Sequence, residues 1–142
     1  MTRYLLDTNH VGKAVNARSE LAARITDSLT QGNRFGTCVP VLCEIQAGRQ
    51  KVAHPVEYQR SLLLLLRRLR IWPMDQETTE IYGELFSLVR QRGRVLSPVD
   101  LMVAALARQY RCTILSADRD FEILNDVMPI ENWLVTSNKV SP

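Results

Sequence analysis

Short apolar runs that break off at a polar or acidic residue, each followed by helical spacing, constrain this chain more than any other feature. Arg3-Tyr4-Leu5-Leu6 stops at Asp7, Arg34 to Val39 runs into Pro40 with Glu44 one turn later, and Cys112 to Ala117 stops at Asp118. Apolar runs of this length read as strands buried on both faces. Strands that alternate with helices imply an α/β fold whose mostly parallel sheet is covered on both sides. At 142 residues the chain fits one domain, expected over residues 1–135, with 136–142 as a loose tail.

The helices follow from periodicity and caps. Leu21 to Gln31 carries Leu21, Ile25, Ser28 and Leu29 on one face and closes at Gly32-Asn33, a helix stop. Pro40 suits the first turn of a helix running to about Arg49. Tyr58 to Arg70 forms another; its five consecutive leucines, Leu62 to Leu66, touch every side of a helix and predict cover on more than one side. Asp75 can cap a helix that ends at Gly93. Ser97-Pro98-Val99-Asp100 opens the next with a cap, a proline and an acid. Ile71 to Met74 and Val127 to Leu134 read as short extended segments, and Asp118 to Phe121 as a loop or turn.

Open α/β sheets bind ligands outside the carboxyl ends of their strands, where this pattern gathers Asp7, Glu44, Asp100 and Asp118. Carboxylates meeting in one pocket repel and raise each other's pKa unless a cation joins them. The set therefore points to a divalent-metal site. Each acid also has a plainer reading: Asp7 as a cap for the helix after it, Asp100 as completion of a box begun by Ser97, and Asp118 and Asp120 as turn residues. Glu44, alone among Val39-Pro40-Val41-Leu42-Cys43, is harder to assign to solvated surface.

The remaining composition narrows the class. No apolar run approaches the roughly 20 residues needed to span a bilayer, and the first residues lack the features of a signal peptide, so a cytoplasmic, soluble protein without membrane contact is expected. Cys38, Cys43 and Cys112 form no metal or redox motif and read as reduced core residues. His10 and His54 complete no ligand motif; His10 lies close enough to Asp7 to border the pocket, with a loop or helix-start role as the plainer reading. Of the 18 basic residues, 15 are arginine, the side chain that best matches phosphate. With several acids in one pocket, the rest of the surface must be more basic than the net +3 suggests, which suits a polyanion. Arg92 and Arg94, flanking Gly93 upstream of Asp100, are the candidate contacts to its phosphates.

Leu-Leu-Asp-Thr-Asn, Val-Leu-Cys-Glu-Ile-Gln-Ala-Gly, Ser-Pro-Val-Asp-Leu-Met-Val-Ala-Ala-Leu-Ala and Ile-Leu-Ser-Ala-Asp-Arg-Asp-Phe follow one another in this order. Together they closely resemble PIN-domain ribonucleases, in particular VapC-type toxins of prokaryotic toxin–antitoxin pairs. The resemblance runs from Tyr4 to Trp133. It implies a three-layer α/β/α sandwich with four to five strands and metal-dependent hydrolysis of RNA phosphodiesters. Asp7, Glu44, Asp100 and Asp118 would be its catalytic set, with Asp7, Asp100 and Asp118 holding Mg²⁺ or Mn²⁺. Asn9, Ser116 and Asp120 match positions that border the family's pocket. A cognate antitoxin and a homodimer are the implied partners, the Leu62 to Leu66 helix being a candidate interface. Val41-Leu42-Cys43 departs from the threonine or serine that many relatives carry before the glutamate. The alternative within the fold is a catalytically inactive RNA-binding or scaffolding module. A phospho-acceptor receiver domain, which needs paired acids near the first strand and a lysine at the end of a late strand, fits poorly, because the three lysines, Lys13, Lys51 and Lys139, are not suitably placed.

Overall fold

A computed structural model describes residues 1–134; the expected tail, 136–142, lies outside the described residues. Five strands, β1 (Arg3–Leu6), β2 (Arg34–Thr37), β3 (Arg70–Ile71), β4 (Cys112–Leu115) and β5 (Ile130–Glu131), form one sheet in the order β3-β2-β1-β4-β5. Every neighbouring pair is parallel. β1 is central, with Leu5 beside Gly36 on one side and Ile114 on the other. Successive strand residues point to opposite faces, and both members of Leu5–Leu6 and of Ile114–Leu115 are fully buried. The sheet is therefore covered on both faces, giving the expected three-layer sandwich.

The helices are α1 (Thr8–Ala14), α2 (Glu20–Thr30), α3 (Val39–Arg49), α4 (Pro55–Leu66), α5 (Gln76–Gln91) and α6 (Pro98–Tyr110). α6 is the central one: five consecutive residues from Val103 to Ala107 are buried, which its all-round apolar sequence foretold. Asp75 opens α5 with a capping box, its carboxylate accepting the Thr78 amide while the Thr78 hydroxyl accepts the Asp75 amide. Ser19 and Ser97 cap α2 and α6 on one side only, each accepting one amide.

Several expected boundaries move. α4 starts at Pro55, where proline suits a first helical turn, and stops at Leu66, so β3 begins at Arg70. β4 ends at Leu115, the expected turn at Asp118 to Phe121 is a 3₁₀ helix over Arg119–Leu124, and only Ile130–Glu131 of the last extended segment pairs with the sheet. The leucine run is split: Leu62 and Leu65 are buried, whereas Leu63 and Leu64 are 54% and 56% exposed. Within one chain α4 is thus covered along one side only. Cys38 and Cys112 are buried free thiols, but Cys43 is exposed on α3, because α3 turns Val41 and Ile45 inward instead.

Candidate metal centre

Asp7 lies where β1 ends, and its amide donates to the Leu115 carbonyl at 3.0 Å, continuing the β1–β4 pairing. It occupies the cap position of α1, yet its carboxylate caps no amide. The side chain turns instead to Ser116, whose hydroxyl donates to Asp7 Oδ2 at 2.8 Å and accepts the Asp118 amide at 3.0 Å. Only 4% of Asp7 is exposed. Burial pushes its pKa up, opposed by the bond from Ser116 and by the nearby Thr8 backbone N–H, which makes no formed hydrogen bond to it, and reinforced by the charges of Glu44 and Asp118. This is a carboxylate placed at a cost rather than a helix cap.

Asp100 sits in the first turn of α6. Its amide donates to Ser97 Oγ at 3.1 Å, half of the predicted box. Burial, then the charge of Asp7, raises the Asp100 pKa to about 6, with further contributions from Asp118 and Glu44 and opposition from the Ser97 hydroxyl. Asp118 caps the 3₁₀ helix, its Oδ1 accepting the Asp120 amide at 2.9 Å, so the turn reading holds for one of its carboxylate oxygens. Carboxylate oxygens of Asp100, Asp118 and Asp120 lie within 4.8 Å of one another. Asp120, expected at the pocket's border, stands in this tightest group.

Glu44 projects from α3, exposed, and accepts a hydrogen bond from the Thr8 hydroxyl. Asn9 Oδ1 accepts the Ala117 amide at 3.1 Å, and His10 is fully buried behind it. Thr8 does not stand out in the sequence; His10, expected at most to border the pocket, is placed by the structure in the core beside Asn9.

The two arginines behave differently. Arg92 is held by Asp126 through two bonds of 2.7 and 2.9 Å and donates to the Ile123 carbonyl at 2.8 Å. Arg94 lines a cleft of about 250 Å³ with Val95, Arg119, Asp120, Glu122 and Ile123, adjoining the acids. A second cleft of about 220 Å³ runs past Ser116, Asp118 and Arg119 to Asn132.

The donor set fits a hard divalent cation. Mg²⁺ takes oxygen ligands at roughly 2.0–2.1 Å, so two ligands on opposite sides of one ion stand about 4.2 Å apart. Oxygens already within 4.8 Å need only small rotations to share an ion. The all-oxygen set, with both nitrogens of the nearby imidazole engaged, disfavours zinc, which prefers nitrogen and sulfur donors. The raised pKa values of Asp7 and Asp100 give the same indication, since a cation would relieve the repulsion that burial intensifies.

The PIN domain profile matches residues 4–126. Ribonuclease VapC2 of Rickettsia felis is 28% identical over 131 residues, covering 92% of this chain and 97% of that protein. Toxin FitB of Neisseria gonorrhoeae is 25% identical over 138 residues, covering 91% and 97%. The crystal structure of VapBC2 from Rickettsia felis, bound to a DNA fragment from its promoter, superposes with a TM-score of 0.81 at 26% identity, covering 93% of this chain and 99% of that one. A profile spanning most of the chain, over a parallel sheet that gathers the acids at its carboxyl edge, makes this chain a member of the PIN domain family.

Proposed function

We propose that the chain is a Mg²⁺- or Mn²⁺-dependent endoribonuclease and the toxin of a toxin–antitoxin pair. The observation that carries this reading is the meeting of the Asp100, Asp118 and Asp120 carboxylates within 4.8 Å, with Asp7 and Glu44 near enough to act on the charge of Asp100, in a chain similar along its length to a ribonuclease. Asp100 and Asp118, with Asp120 and Asp7, are the residues that would hold the metal. When bound, a divalent cation neutralises charge on phosphate oxygens and makes water more acidic. Ser116 orients Asp7 and the Asp118 backbone together. Glu44, steadied by Thr8 and open to solvent, is placed to take a proton from attacking water. Purified protein should cleave total cellular RNA with Mg²⁺ or Mn²⁺ and fall silent in EDTA. Metal-independent RNA binding without cleavage would favour the inactive scaffolding reading.

RNA contact is assigned to Arg94, since Arg92 is committed to Asp126. Removing one phosphate contact lowers the log–log salt slope of binding by roughly 0.7 to 0.9. Arg94→Ala should show that change in a salt titration, and Arg92→Ala should show little. Equal changes for the two would reject the assignment.

An antitoxin partner and a homodimer belong to the same reading, supported by the likeness to the VapBC2 complex and by the uncovered leucines of α4. Val56, Leu63 and Leu64 are exposed, and α4 borders a cleft lined by Ala14, Val15 and Leu64. Leu64→Glu replaces an already solvated side chain and should leave folding intact. Light scattering should then report monomers if α4 joins two copies; an unchanged dimer would move the interface elsewhere.

A further inference from the structure

His10 is fully buried, and both ring nitrogens are engaged. Nδ1 lies 2.7 Å from Asn9 Oδ1, and Nε2 accepts the Trp133 amide at 3.0 Å. Two backbone amides settle the proton positions, since an amide can only donate. The Trp133 amide makes Nε2 an acceptor, so the proton of the neutral ring sits on Nδ1. The Ala117 amide makes the Asn9 atom facing it the carbonyl oxygen, and that same oxygen receives the Nδ1 proton. The result is one directed chain: Trp133 amide to His10, His10 to Asn9 Oδ1, with the Ala117 amide converging on that oxygen.

Ala117 stands between Ser116, which holds Asp7, and Asp118, which joins the metal cluster. Burying an imidazole costs desolvation that an apolar ring of similar size would avoid, and core packing alone does not explain that cost. We infer that His10 is a positioning residue that, through Asn9, fixes the Ser116–Asp118 turn in the geometry the metal needs, and through Trp133 fastens the end of the sheet to the same point. The inference rests on the reading of the acids as a metal site. Its reach extends into the core, where Trp133 packs on Tyr4 and Phe35 at 4.9 and 5.6 Å and lies under the Arg24 guanidinium.

Two substitutions separate the halves of this chain of bonds. Glutamine can place an acceptor near the position of Nε2 and keep the Trp133 bond, but it loses the donor toward Asn9. Asparagine can place a donor near Nδ1 and keep Asn9, but it loses Trp133. Outer partners that orient metal ligands typically contribute about 10- to 100-fold in metal affinity or activity. His10→Gln should therefore weaken Mn²⁺ binding, measured calorimetrically, by roughly that factor, lowering kcat with KM unchanged and shifting the Ala117 and Asp118 amide resonances of the metal-free protein. His10→Asn should keep Mn²⁺ affinity close to wild type while melting at lower temperature.

Mn²⁺ affinities that merely follow melting temperature across the two variants would reduce His10 to a core residue. The wild-type protein offers a check independent of any variant's folding: nitrogen-15 spectra should show the Nδ1–H tautomer, and the Nε2–H form would overturn the proposal. If wild-type protein binds no Mn²⁺, the metal reading fails. The tautomer and the response of the Ala117 amide to His10→Gln then still decide whether His10 holds the turn.

Discussion

Asp7→Asn and Asp100→Asn should each abolish metal-dependent RNA cleavage while leaving a folded protein that, without metal, melts at least as high as the parent. Asparagine keeps the shape and one carbonyl oxygen, so the Ser116 hydroxyl still finds an acceptor at position 7. What disappears is charge. Removing one preorganised electrostatic contact commonly costs about 100- to 1,000-fold in rate, and loss of a metal-holding carboxylate should reach at least that. The stability change has the opposite sign. A carboxyl whose pKa stands near 6 in the fold and near 3.9 in the unfolded chain destabilises the fold at neutral pH. After a discount for its partial solvation, the penalty for Asp100 is on the order of 1 to 2 kcal/mol. Relieving it should raise the metal-free melting temperature of Asp100→Asn by a few degrees. A variant that melts well below wild type would return Asp100 to the role of a helix-start residue, and one that cleaves RNA normally would remove it from the site.

The acids were legible because strand ends and helix starts are local signals: an apolar run, a break, a proline. Topology then carries Asp7, Asp100 and Asp118 to one edge, and no pairwise contact need be known in advance. The order of strands was not legible, since β3-β2-β1-β4-β5 depends on which strands pair across long connections. Thr8, His10 and Asn9 show the other limit. Each is an ordinary residue near an acid, and its role comes from partners 36, 123 and 108 positions away. The leucine run illustrates a pattern read too far. Five adjacent leucines touch all sides of α4, but Leu62 and Leu65 are the ones buried in the core, Leu66 packs at its edge, and Leu63 and Leu64 stay exposed among the described residues. Arg92 failed to stand apart from Arg94 for a similar reason, because Asp126, which holds it, lies 34 residues on.

Acid should leave the metal-free wild-type protein nearly unchanged in stability between pH 6 and 4, yet weaken the Asp7→Asn/Asp100→Asn double variant steeply. Burial lowers the His10 pKa from 6.5 to about 4. Between those values the unfolded chain binds a proton that the folded protein refuses, so His10's contribution is full above pH 6.5 and declines as pH falls. Asp100, raised to about 6, works in reverse: the folded protein takes up a proton that the unfolded carboxylate does not, and stability grows as pH falls through 6. Asp7, also raised, adds to that gain. The opposing slopes offset each other in the wild type. The double variant keeps only the histidine, whose loss amounts to about 1.4 kcal/mol per pH unit, or on the order of 3 kcal/mol from pH 6.5 to 4. Asp75, held low chiefly by Gln109, and Asp126, held low by Arg92, titrate below this window and are common to both proteins. Urea titrations in EDTA at half-unit pH steps would measure the two curves. Parallel curves would mean that the acids do not share a buried, repulsive pocket, which is the physical premise of the metal site.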